Sequence, residues 1–236
     1  MSRITFDSVG KSKKAVNLLG AVAAVMIAAL VLSASVTATL FDRGAYDRLQ
    51  DRLGLPEIAG ISEEELLANY NALIDYNSIF YPGPLSFPTF AMSDAGRIHF
   101  EEVKAIFSFF QITLILSAVL TALCVVLLIR KRRFRFLAAG GILSLIIPAV
   151  AVVAMFAVGW DRFFVIFHEV FFNNDFWVFD SQTDPVINIL PDAFFLNCLI
   201  RIVIGIVIPA VLLIFSQNHR TLDFFNKFIK KKSLKC

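Results

Sequence analysis

Four uninterrupted apolar runs, at 15–41, 105–129, 136–160 and 194–215, constrain this chain more than any other feature. A helix needs about 20 residues to cross a hydrocarbon core, and each run is long enough. Inside such a core every backbone amide must be bonded within its own segment, so the runs read as helices rather than open strands. Charged residues make up 17% of the chain, against about a quarter in a soluble domain, and the deficit sits in these runs. The expected fold class is an all-α membrane protein. Residues 1–236 are expected to form a single membrane domain of four transmembrane helices with an extracytoplasmic cap of amphipathic and interfacial helices.

The net charge of +3 matters less than where the charge lies. Unpaired Lys and Arg gather before residue 15, in the 130–135 hairpin and in the tail after 217. Four spans place these three segments on one side, which the positive-inside rule makes the cytoplasm. The polar segments 42–104 and 161–193 then both face outward. The basic start followed by an apolar run resembles a secretory signal, but the run exceeds the usual h-region of about 7–15 residues. It reads as a retained anchor, although the small residues from Ser33 to Ala38 resemble a cleavage region. The basic clusters form no pattern for nucleic acid.

Segment 42–104 has internal order. Ser62 and Glu65 fit a capping box, with the hydroxyl on the Glu65 amide and the carboxylate reaching back. Leu66, Leu67, Tyr70, Leu73, Ile74 and Asn77 follow at helical spacing, an amphipathic helix. Prolines 82, 84 and 88 break regular structure, and Ser93 or Asp94 can cap a helix that runs directly into the second span. Lys104, at the head of that span, is expected to snorkel.

Segment 161–193 is richer in groups capable of chemistry than a connector requires. Asp161 to Phe171 reads as a helix lying in the interface, with Phe163 or Phe164, Phe167 and Phe171 dipping into lipid. Asn173, Asn174 and Asp175 end it as a turn. Asp184 before Pro185 reads as an N-cap with proline at the first helical position. Asn174, Asp175, Trp177 and Asp180 are more open to a role in a site.

His99 and His168 fall near predicted membrane boundaries in the two outward segments and can meet above the bundle. His219 lies in the basic tail and reads as solvated. Glu102, three residues after His99, shares its helix face and is placed to orient the ring as a general base is oriented; Arg97 and Glu101 form a pair on a neighbouring face. Arg201 lies roughly two turns inside the fourth span, with Asn197 a turn above it. A charge at that depth costs several kcal/mol unless partnered, so it is expected to face the bundle interior, held by a loop acid or offered to a substrate carbonyl; snorkelling is the alternative.

Other chemistries lack support. Cys124 and Cys198 sit inside apolar runs, Cys236 is the last residue, and no CxxC, zinc knuckle or disulfide framework is present. GxSxG, HExxH, a Walker loop and a glycine-rich dinucleotide turn are all missing from the sequence.

The order of parts is an outward His99, Phe100, Glu101, Glu102, Val103, Lys104, then a basic hairpin. Phe167, His168, Phe172, Asn173, Asn174, Asp175, Trp177, the run from Asp184 to Pro191, and Phe194 with Phe195 follow. This resembles the lipoprotein intramolecular transacylase (Lit) family of four-span bacterial membrane proteins, over nearly the whole chain. An Asp is expected where Glu102 stands, and the first outward segment looks divergent. The resemblance implies a multi-pass protein of the bacterial cytoplasmic membrane with an outward-facing site. It implies an acyltransferase that moves the sn-2 acyl chain of a diacylglyceryl-Cys lipoprotein to that residue's own α-amino group, giving the lyso form. The partners are then diacylated lipoproteins and membrane lipid, and no metal or soluble cofactor is required. His99 and His168 are the expected proton-handling pair, in either order of roles, with Glu102 orienting His99 and Arg201, Asn174, Asp175, Trp177 and Tyr70 in support. Two rival readings are a non-catalytic assembly or sensor protein and a bis-histidine haem protein.

Overall fold

The structure, a computed structural model, describes residues 3–130 and 134–216. Residues 131–133 of the basic hairpin, the basic tail with His219, and Cys236 lie outside the described residues. Nine α-helices and one 3-10 turn make up the described chain, with no strand among them: α1 Arg3–Phe41, α2 Arg43–Leu53, α3 Leu55–Ala59, α4 Glu63–Tyr76, α5 Asp94–Arg130, α6 Arg135–Ser144, α7 Ile146–Val158, α8 Trp160–Phe171, a 3-10 turn at Pro185–Ile189, and α9 Asp192–Phe215. The protein is an all-α membrane protein with four transmembrane helices. The helices long and apolar enough to cross a membrane are Ala15–Phe41, Asp94–Leu128, Arg135–Val158 and Asp192–Phe215. Large apolar side chains stand exposed along them, among them Leu123, Ile147, Val153 and Leu212 at 58–69%. In water such continuous apolar surface would aggregate; in lipid it is the solvated face.

At 37 residues, α5 is about 55 Å long at 1.5 Å per residue, far more than a core of about 30 Å needs. Its first turns, carrying Arg97, His99, Glu101 and Glu102, are the surplus. The third span is broken near Pro148. Proline clashes with the carbonyl four residues earlier, and the helix stops at Ser144 and restarts at Ile146, with Pro148 in the first turn of α7. The sequence expectation of one interfacial segment starting at Asp161 is met one residue early. Gly159, at φ 81°, turns the chain between α7 and α8 in a conformation that side chains rarely adopt.

The chain divides into two compact units. One takes the residues up to Ser33, Thr113–Ala149 and those from Ile204 on. Its core is Ala23, Ile27, Cys124, Leu128 and Phe136, and Gly141 lies against the Ala210 carbonyl, where an added Cβ would approach to 2.7 Å.

The second unit, Ala34–Ile112 with Val150–Val203, holds every residue of the candidate site. Its core joins Tyr46, Leu55, Leu66, Tyr70, Leu73 and Ile74 to Phe100, Val186, Ile189 and Leu190. Tyr46 and Tyr70 stack with ring centroids 3.5 Å apart, and burial raises both phenols above their usual range. The Tyr46 hydroxyl therefore keeps its proton and donates it to the Ile189 carbonyl at 2.8 Å. Residues 43–59, expected only as polar chain, form α2 and α3; Asp42 caps α2 by accepting from the Ala45 amide at 3.1 Å.

Half of the expected capping box forms. Ser62 Oγ accepts from the Glu65 amide, but the Glu65 carboxylate accepts from the Thr89 hydroxyl instead of reaching back. The proline-rich stretch draws it away, because buried Asn69 also binds there, accepting from the amides of Thr89 and Phe90. Deeper along α5, buried Gln111 donates to the Asn77 carbonyl at 2.8 Å and accepts from the Ile79 amide, so the loop after α4 is fastened to the span. Lys104 does not snorkel freely: its ammonium donates to the Tyr81 carbonyl and lies 4.2 Å from the Tyr76 ring centre.

Candidate active site

The two histidines arrive from separate elements. His99 stands one turn into α5, whose start is fixed by Ser93: its hydroxyl accepts from the Gly96 amide at 2.9 Å, and its own amide donates to Asp184 at 2.8 Å. Asp184 was expected to cap the turn that follows it. It occupies that position, but its side chain makes no cap bond there. The carboxylate is 3% exposed and accepts from Ser93 and from the Thr183 hydroxyl. A negative charge beside the first turn of α5 complements the helix dipole, which explains why the longer helix wins the contact.

His168 lies on the inner face of α8. Of the phenylalanines expected to enter lipid, Phe167 and Phe171 are 41% and 53% exposed, whereas Phe164 turns inward against His168 with centroids 4.2 Å apart. His168 Nδ1 lies 2.7 Å from the Phe164 carbonyl oxygen. A carbonyl only accepts, so Nδ1 carries the proton and Nε2 of the neutral ring keeps its lone pair. Burial holds the His168 pKa below the ordinary histidine value, partly offset by that backbone bond. At neutral pH the ring is an uncharged base.

The imidazoles are 6% and 8% exposed, with ring centroids 6.1 Å apart. Phe172 touches both, 4.7 Å from His99 and 5.6 Å from His168. Phe179 closes the far side of His99 at 5.4 Å, and Trp177 stacks on His168 at 4.6 Å and 26°. In this aromatic shell two charged rings at once would repel with little water to screen them.

The polar supports are arranged differently from the sequence expectation. Glu102 does not bond His99. Its Oε1 accepts from the Asn174 amide at 2.9 Å, while Glu102 Oε2, His99 Nδ1 and Trp177 Nε1 are buried without a partner. The turn at 173–175 explains this: Asn174 Oδ1 accepts from the Phe176 amide, which aims its NH2 group back at α5. Asp175 is exposed on that turn, where its carbonyl accepts from the Val178 amide.

Arg201 and Tyr70 do not touch the imidazoles. Arg201 donates to Asp42, the acid from the first polar segment, and lines a small cavity with Tyr46, Tyr70, Phe194, Asn197 and Cys198. Phe194, Phe195 and Phe164 connect that cluster to His168, with successive centroids 5.3 and 5.2 Å apart. Sequence reasoning gave no place in the site to Phe164, Phe172, Phe179 or Asp42. Their signal was weak, since one phenylalanine among 25 carries no mark of facing inward. Among the described residues no group of three or more His, Cys, Asp or Glu could hold a metal ion.

Four spans, and two buried imidazoles from different elements with unpaired polar atoms beside them, define an integral membrane protein with a water-poor candidate site. A family model for the lipoprotein intramolecular transacylase Lit matches residues 21–195, and the chain belongs to that family; it is an acyltransferase. Solved structures of Lit from Bacillus cereus agree in fold. One, determined in meso, is 31% identical over 94% of this chain and 99% of its own, with a TM-score of 0.81. Two others carry one histidine replaced, by arginine in a chain 29% identical over 98% and 100% with a TM-score of 0.81. In the other it is replaced by alanine, in a chain 30% identical over 96% and 99% with a TM-score of 0.80. No curated protein sequence matches.

Proposed function

We propose that this protein moves the sn-2 acyl chain of a diacylglyceryl-Cys lipoprotein to the α-amino group of the same cysteine, giving the lyso form. The site faces outward from the bacterial cytoplasmic membrane. The observation that carries the reading is the meeting of His99 and His168 in one aromatic shell, with Nε2 of His168 left free to accept a proton. An α-amine has a reference pKa of about 7.7–8.0, so a neutral imidazole can take its proton near neutral pH. Amine nitrogen attacks the ester carbonyl carbon as an N–H proton passes to one imidazole. The C–O bond then breaks, and the departing sn-2 oxygen takes a proton, leaving an amide and a hydroxyl. Both reacting groups belong to one molecule, so holding them together supplies much of the rate. The second histidine serves the oxyanion as a donor. The aromatic walls exclude water, which would otherwise compete for the ester. Membership of the Lit family supports the same reaction. The outward orientation rests on the distribution of Lys and Arg in the sequence.

The test is mass spectrometry of a lipoprotein N-terminal peptide from expressing cells. His99→Ala and His168→Ala are each expected to abolish lyso-form product, by at least 100-fold given the usual weight of a general base, while the protein still inserts. Undiminished product from the double variant overturns the reading.

A further inference from the structure

We infer that Glu102 is the receptor for the substrate's free α-amino group, and that Asn174 holds it in that task; this rests on the acyl-transfer reading above. Glu102 stands one turn along α5 from His99 and is half-buried. One carboxylate oxygen is occupied by the Asn174 amide at 2.9 Å. The other is buried and has no hydrogen-bond partner, and no Lys, Arg or His of the described residues forms an ion pair with it.

Four cations of the same unit are committed to other partners. Arg97 holds Glu101 at 2.7 Å, Arg201 holds Asp42, Arg43 holds Asp75 at 2.5 Å, and Lys104 sits against Tyr76 and the Tyr81 carbonyl. The neighbouring buried carboxylate, Asp184, is satisfied by Ser93 and Thr183. Glu102 Oε2 and His99 Nδ1 are both without a partner, so the carboxylate does not orient the imidazole here. A lone buried carboxylate oxygen is costly unless a donor meets it, and beside the imidazoles the missing donor is an N–H.

A diacylglyceryl-Cys terminus brings such a group: an ammonium with three N–H donors, next to two ester carbonyls that only accept. A partnerless donor stacked on His168, Trp177 Nε1, suits a carbonyl and not an ammonium, so the two ends of the substrate are told apart. After one proton leaves to an imidazole, the amine still has two N–H bonds, and its contact with Glu102 survives while nitrogen attacks. An N-acylated terminus has lost its charge and two of its three N–H groups. Glu102 therefore selects substrate that has not yet been acylated at nitrogen, and releases the amide product.

Two synthetic ligands test this with the full-length protein in lipid nanodiscs. Both are peptides beginning with Cys that bears a glyceryl group with two ether-linked chains, which cannot transfer; one has a free α-amine and the other an N-acetyl group. Wild type is expected to bind the free amine about tenfold more tightly, as a charge-assisted contact allows. Glu102→Gln should bring the two affinities together by weakening the free amine alone, and Asn174→Ala should do so in part. Equal preference for the free amine in Glu102→Gln and wild type overturns the inference, even if that variant has lost turnover, because Glu102 is then a proton-transfer group. Wild type that binds neither ligand overturns the acyl-transfer reading itself. Unchanged binding of the N-acetyl ligand shows that Glu102→Gln is folded, and if it is not, Asn174→Ala gives the same readout.

Discussion

His168 is set by one backbone bond and a shell of rings. Because burial lowers its pKa, the folded state binds fewer protons than the unfolded chain between the folded value and the ordinary 6.5. Stability from this group is fully present above about pH 6.5 and is lost as pH falls through the lower folded value. Thermal unfolding in detergent should show a midpoint that declines on acidification below pH 6.5, and His168→Gln should flatten that decline. Under the proposed acyl transfer the same sign is expected for turnover: an acid limb due to His168 below 6.5, and a rate that rises toward about pH 8 as the substrate amine loses its proton. The two histidines were legible in the sequence because their residue type and their nearness to predicted membrane boundaries restrict what they can do. Their partners were not. Glu102 stood three residues from His99 and looked like its orienting acid, yet Asn174, 72 positions away, takes it; no local spacing encodes a contact of that kind.

Among the elements, the helices with strong periodicity or apolar length were readable, while boundaries and caps were decided by distant competition. The α4 helix was legible from Ser62 onward, but its capping glutamate is claimed by Thr89. The α2 and α3 helices went unread because a short polar run bears little periodic signal until Tyr46, Leu49 and Leu55 are seen to be buried. Asp184 is the clearest case: read as the cap of its own turn, it serves the start of α5. Replacing it with Ala leaves the Ser93 amide and the Thr183 hydroxyl without an acceptor, a cost of about 1–3 kcal/mol. Asp184→Ala is expected to lower the unfolding midpoint and to reduce turnover together, since His99 depends on that first turn. Asp184→Asn, which keeps an acceptor oxygen, should restore most of the midpoint. Differential scanning fluorimetry on the two variants measures this, and an unchanged midpoint for Asp184→Ala contradicts the capping role.

For the whole molecule, four apolar runs were enough to give the number of spans, since no soluble core has use for four such lengths. How closely they pack was not legible, because small residues are common in any span. Gly141 shows the difference: a Cβ there would approach the Ala210 carbonyl oxygen to 2.7 Å, and a backbone atom has little freedom to retreat. Gly141→Ala should therefore destabilise by about 1–3 kcal/mol, read as a lower unfolding midpoint in detergent. Activity per folded molecule should remain near wild type, since the histidines belong to the other compact unit.

Asp42 serves two helices at once. One carboxylate oxygen caps α2 and the other holds Arg201 on α9, so the guanidinium has its counter-charge inside the protein. An arginine without such a partner would have to be satisfied by water or headgroups, and α9 would rise or tilt whenever the bilayer thickened. Here the vertical setting of α9 is an internal dimension, fixed by a bond rather than by the surrounding lipid. Lipoprotein acyl transfer in vesicles of differing chain length should consequently vary little for the wild type. Asp42→Asn, which keeps a capping oxygen but gives up the charge, should make the rate depend on membrane thickness.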